Sequence, residues 1–196
     1  MWRLSRLLAG AFFCSYFSFF GAYAVAEIPL SQKVVRQGGG PQSYRWSRFA
    51  MPGNCSVNFP MKPQHVQQVT PLAGGQLEMR CDIYAAPSDK RAVYMMLIAQ
   101  YPVEMGKMHE KLSLEGILNG LMKQNPTGQL KFADIVTING YKALDFFIAA
   151  EGIYFKGRVL VTESNLYFLA MKCDEKNYSK EHYRQFIQSF QLSHDQ

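Results

Sequence analysis

The residues best suited to chemistry are scattered along the chain. His65, His109, His182 and His194 fall in a loop, near a helix start, in a helix and in the C-terminal tail of the elements predicted below. A metalloprotease helix needs a second histidine four residues after the first, and His109-Glu110 has Ser113 there instead. No Gly-x-Ser-x-Gly turn occurs to expose a serine nucleophile. Neither the cysteines nor the histidines show zinc spacing, so no metal and no cofactor are expected. Asp145, inside an otherwise apolar stretch, is the acid to watch, and a hydrogen-bonded partner at a strand crossing is favoured over a catalytic carboxylate. No catalytic residue is assigned, and the chain reads as a non-enzyme.

Arg3 and Arg6 precede an uncharged run from Leu7 to Ala26 that closes on Ala24-Val25-Ala26 before Glu27. A basic start, an apolar stretch and small residues at the cleavage positions form a signal peptide, cut after Ala26. An uncleaved membrane anchor is the alternative, because about 18 apolar residues can span a bilayer. Either way the remainder is expected to be exported across the cytoplasmic membrane, to the periplasm or outside the cell. Contact with the membrane is expected only through an uncleaved signal segment.

Two of the six net positive charges leave with residues 1–26. Lys33, Arg36, Arg45 and Arg48 against Glu27 give the segment 27–52 a net charge of +3, so the body from residue 53 carries only about +1. A near-neutral body lacks the concentrated basic face that nucleic acid requires. Gly38-Gly39-Gly40-Pro41 breaks the basic arm with residues that resist helix and strand. Residues 53–196 are long enough for one domain with a real core.

Three cysteines follow residue 26, and an exported chain with an odd number suggests one disulfide and one spare thiol. Cys55 alternates with Val57 and Phe59, and Cys81 with Leu77, Met79 and Ile83, so both point to a core. A Cys55–Cys81 bridge is possible if their strands are neighbours, and two buried thiols are the other reading. Nothing in the sequence marks Cys173 as reactive.

The elements that must position these residues follow from periodicity. A strand at Cys55 to Phe59 leads to a loop marked by Pro60, Pro63, Pro71 and Gly74-Gly75. Gln76 to Ala86 alternates cleanly, with Arg80, Asp82 and Tyr84 on its polar face. Arg91 to Tyr101 is apolar on both faces, as a central strand must be. Residues 108–125 switch period, with Leu114, Ile117, Leu118, Leu121 and Met122 forming one stripe of a helix. Three strands then surround the hairpin signal Asn139-Gly140 and the turns at Glu151-Gly152 and Ser164-Asn165. They run at about 131–137, 141–150 and 153–162, and a fourth follows at 166–173. A last helix begins near Ser179, with Tyr183, Phe186, Ile187 and Phe190 as its buried stripe. The prediction is an α+β domain, an antiparallel sheet of six to seven strands with helices packed on it.

Three motifs, in this order, resemble those of a known family. "SVNFPMKP" at Ser56 to Pro63, "NGYKALDF" at Asn139 to Phe146, and "NLYFLAMKC" followed by "YRQFIQSFQL" at Asn165 to Leu192 are similar to the opening, middle and close of the PsbP-like α/β sandwich. Extrinsic photosystem proteins, a Ran-binding nuclear import factor and many bacterial secreted proteins share that fold. The resemblance implies a binding or accessory module with no common catalytic constellation. No metal-binding or partner-binding residue of a characterised member matches a position here.

Two surfaces are candidates for contact. Tyr44, Arg45, Trp46 and Arg48 combine the aromatic and Arg side chains that binding hot spots use, although Phe49, Val57 and Phe59 mark the same stretch as a strand leading into the core. The second is the polar sheet face carrying Arg80, Tyr84, Tyr94, Tyr154, Lys156 and Arg158, whose plainer reading is a solvated face. The function expected is an exported, non-catalytic module that binds a protein partner in the cell envelope or outside it. The alternative is a carrier of a small ligand or lipid, with a cavity near Met95, Met96 and Met122.

Overall fold

The computed structural model describes residues 46–72, 77–88, 91–102 and 114–193. Its ten strands are β1 (Ser47–Met51), β2 (Cys55–Phe59), β3 (Gln64–Leu72), β4 (Leu77–Pro87), β5 (Val93–Gln100), β6 (Gln129–Ile138), β7 (Tyr141–Ala150), β8 (Ile153–Val161), β9 (Asn165–Asp174) and β10 (Gln191–Leu192). Helix α1 (Leu114–Gln124) separates β5 from β6, and α2 (Lys180–Gln188) precedes β10. The predicted signal segment, Tyr44 and Arg45 lie outside the described residues. Among the described residues no helix is long and apolar enough to cross a membrane.

Seven strands form one antiparallel sheet in the order β3-β4-β5-β9-β8-β7-β6, and β1-β2-β10 form a second, smaller one. The chain leaves β5, crosses through α1 to the far edge at β6, and meanders back until β9 docks between β8 and β5. Residues 94–99 of β5 are all buried, as an apolar strand with neighbours on both sides and layers above and below requires. The Asn139-Gly140 hairpin forms as predicted: both residues take positive φ, 50° and 84°, and Ile138 pairs with Tyr141 across the turn.

Two apolar clusters lie on opposite faces of the large sheet. Val57 and Phe59 of the small sheet join Tyr94, Met96, Ile98, Leu169 and Met171 with Tyr183, Phe186 and Ile187 of α2 on one face. On the other, Ile117 and Leu121 of α1 cover Met95, Leu97, Phe146, Ile148 and Phe168. α2 starts where expected, with Ser179 Oγ accepting from the His182 amide at 3.3 Å.

The lead-in before Cys55 is a strand, as expected, and it pairs with β2. Two other expectations change. The predicted loop between residues 60 and 75 contains β3. The sheet also has two apolar faces, so "pointing to the core" does not place two residues together. Cys55 belongs to the cluster under α2 and Cys81 to the cluster under α1, and no disulfide joins them. Cys55 Sγ donates instead to the Pro52 carbonyl at 3.4 Å. Burial pushes its thiol up to about 12 and that of Cys173 up to about 11, the latter helped by Asp174, so both stay protonated and unreactive at neutral pH.

Candidate functional site: a cross-strand ladder around Lys156

Antiparallel register places two rows of side chains across β6, β7 and β8. Phe132 stands opposite Phe147, which stands opposite Lys156, and in the next row Asp134 faces Asp145, which faces Arg158. Directly opposed side chains share a face and touch. The face is the one that carries α2. The register shift between Leu130 and Phe132 puts the Phe132 ring into this row.

Lys156 lies inside a ring of aromatic side chains. Its Nζ is 4.6 Å from the Tyr183 ring centre, 5.1 Å from Phe132, 5.4 Å from Phe147 and 5.8 Å from Tyr178. It also donates to the Tyr178 hydroxyl at 3.4 Å. Burial lowers its pKa, and Asp145 acts in the opposite sense. The rings' negative faces favour the ammonium form as well. Tyr154 continues the aromatic row, edge-on to Phe147 and Tyr178, with its hydroxyl donating to Glu175 Oε1 at 2.5 Å.

In the second row Arg158 grips Asp145 with two hydrogen bonds, Nε to Oδ1 at 2.6 Å and Nη2 to Oδ2 at 2.8 Å. This bond raises the Arg158 pKa and fixes the guanidinium plane beside the aromatic ring. Asp145 is therefore the strand-crossing partner that its sequence position suggested. The ladder is half-buried, with a rigid cationic centre and apolar walls, and it offers contacts for binding.

Of the six residues expected on one sheet face, only Tyr154, Lys156 and Arg158 belong to this ladder. Tyr94 is 1% exposed, packed edge-on between Trp46 and Phe186 beneath α2. Arg80 and Tyr84 lie on the other flank of the same sheet face, around a carboxylate whose burial the sequence did not reveal. Asp82, predicted on a polar face, is 0% exposed. Its Oδ1 accepts from His65 Nε2 at 2.7 Å and Gln67 Nε2 at 2.9 Å, and Arg80 Nε lies 3.4 Å from Oδ2 without a hydrogen bond. The His65 ring stacks on Tyr84 at 4.3 Å. Alternation alone cannot distinguish a solvated face from one covered by a neighbouring layer and an edge strand. Phe132, Phe147, Tyr178 and Tyr183 were missed for a related reason: strand register brings the first two to Lys156, and the packing of α2 and the segment before it on the sheet brings the others.

Trp46 and Arg48 of the first candidate patch both make contacts within the fold, and Arg48 remains exposed. Trp46 is half-buried, 5.0 Å from the Tyr94 ring and 6.0 Å from His182. Arg48 donates from Nη1 to Gln191 Oε1 at 2.7 Å, tying β1 to β10's end of the chain. Trp46→Ala with Arg48→Ala is accordingly expected to destabilise the protein by about 2 kcal/mol. Thermal unfolding checks this, and an unchanged melting temperature would return the pair to the role of a free contact patch.

No protein-family model matches the chain, and no curated protein does. Among solved structures it is similar to cyanobacterial PsbP from Synechocystis sp. PCC 6803, at 11% identity over 81% of this chain and 98% of that one, with a TM-score of 0.49. It is also similar to a protein of unknown function from Pseudomonas aeruginosa, at 12% identity over 71% and 92% of the two chains, with a TM-score of 0.33.

Proposed function

We propose that the protein is an exported, non-catalytic binding module that takes a protein partner on the ladder around Lys156. The observation that supports this most is the half-exposed ammonium held among four aromatic rings, beside a guanidinium already fixed by Asp145. Tyr, Phe and Arg presented on rigid strands supply contact area at little entropic cost. The matching partner segment carries an acidic side chain to meet Lys156 and an apolar one to lie against Phe132 and Phe147. The carrier alternative gains nothing from the methionines, because Met96 packs under α2 while Met95 and Met122 pack on the α1 face.

The test is crosslinking and affinity capture of the tagged protein from the envelope and culture fluid of its native cell, followed by titration of the captured partner. Lys156→Ala and Phe132→Ala are each expected to weaken binding by about thirtyfold while the fold persists. A stoichiometric partner that binds both variants as tightly as the parent would remove the ladder from the interface.

A further inference from the structure

The two edges of the large sheet differ in how they are protected. An exposed edge presents unpaired backbone donors and acceptors to any passing strand, and proteins usually blunt it with bulges, charges or short length. β6 uses these devices: its pairing shifts register between Leu130 and Phe132, and it carries Lys131 and Asp134. They accompany two exposed apolar residues, Leu130 and Ile135.

β3 has neither a bulge nor a formal charge, and Pro71 near its end is its one blunting device. Its nine residues, QHVQQVTPL, pair with β4 in unbroken register from Gln64 to Leu72 and include no Lys, Arg, Asp or Glu. Val66 and Val69 are 37% and 50% exposed, one on each face of the strand. Pro71 is tolerated because an edge strand need not donate outward at every residue. The strand is also held in place: His65 and Gln67 both bond to buried Asp82, and His65 stacks flat on Tyr84. A pinned, uncharged edge with half of its backbone groups facing outward is ready to accept another strand.

We propose that the occupant is the β3 strand of a second copy of this chain, paired antiparallel about a two-fold axis at Gln68. β3 is centred on that residue. The axis sets Val66 opposite Thr70 and Gln67 opposite Val69, joining β-branched and neutral side chains with no like charges in contact. Without Arg3 and Arg6 of the predicted signal segment the chain carries +4, so a neutral edge is where two copies meet with least repulsion. On β4 just behind it, Arg80 and Glu78 stand opposite Val69 and Pro71, one charge of each sign. The pairing would make one continuous sheet from two protomers, closing both β3 edges at once. This surface is separate from the Lys156 ladder, which remains open at the other end of the sheet.

Sedimentation velocity of the purified protein from sub-micromolar to hundreds of micromolar tests the proposal, with hydrogen exchange of residues 64–72 recorded over the same range. The parent is expected to dimerise with rising concentration, and the β3 amides to gain protection in step. Gln68→Lys and Gln68→Glu each place like charges together at the axis and should weaken the dimer by about fivefold, while an equal mixture of the two recovers it as a heterodimer. Val69→Lys is a second variant, and thermal unfolding confirms that each remains folded. A parent that stays monomeric throughout overturns the proposal. So does a dimer indifferent to Gln68, or a monomer that instead binds a foreign extended peptide along β3.

Discussion

Gly157→Ala is expected to lower the free energy of unfolding by about 3 kcal/mol, at the upper end of the usual cost of one added methyl group. Gly157 lies in β8 between Phe146 on β7 and Ala170 on β9. A Cβ built there would stand 2.3 Å from the Leu169 carbonyl oxygen and 2.8 Å from Phe146 Cζ. The ring could turn only by disturbing its own contacts with Phe155 and Phe168, whose centres are 5.3 and 5.7 Å away. The carbonyl belongs to the sheet and cannot retreat without loss of ladder geometry. Adding Phe146→Leu should therefore recover only part of the loss. Denaturant unfolding of both variants measures this, and a cost below about 1 kcal/mol for Gly157→Ala would mean that β9 gives way easily.

Phe186→Ala should cost about 4 kcal/mol by leaving a cavity at the meeting point of three layers. Phe186 is 0% exposed, its ring 5.5 Å from Phe59 of β2 and 5.2 Å from Tyr94 of β5. It is the side chain through which α2 grips the small and large sheets together. Because Trp46 rests on Tyr94, its fluorescence should shift in the folded variant as well. Denaturation with tryptophan emission reads both effects. An unchanged midpoint would show that α2 can settle without this anchor.

Much of the architecture was legible because one signal was enough for each element. Asn139-Gly140 fixes a hairpin by its backbone preference, Ser179 caps a helix, and the double-faced apolar run before Pro102 makes β5 central. β3 was hidden because its side chains face water on both sides, so no alternation survives, and Pro71 pointed to a loop. Cys55 and Cys81 each showed the correct inward orientation, but inward has two directions in a sheet covered on both faces. The ladder was half-legible for a further reason. Tyr154, Lys156 and Arg158 share one strand and can be read from alternation, whereas Phe132 and Phe147 reach them through long-range register and Tyr183 through the packing of α2. Asp82 shows the opposite error: its alternation was read correctly, and the partners that bury it come from β3, the strand that had been missed.

The place of β9 in the sheet also has a kinetic consequence. Among the described residues it is the last long strand and the only bridge between β3-β4-β5 and β8-β7-β6. Until residues 165–174 are available, the two groups can form only as separate meanders, with β5 and β8 each showing an open inner edge. Pairing of such distant segments slows folding, and unpaired edges in partly made chains invite misassociation. A chain emerging in order, from N- to C-terminus, thus reaches a single cooperative structure only in its final fifth, when β9 and then α2 arrive together.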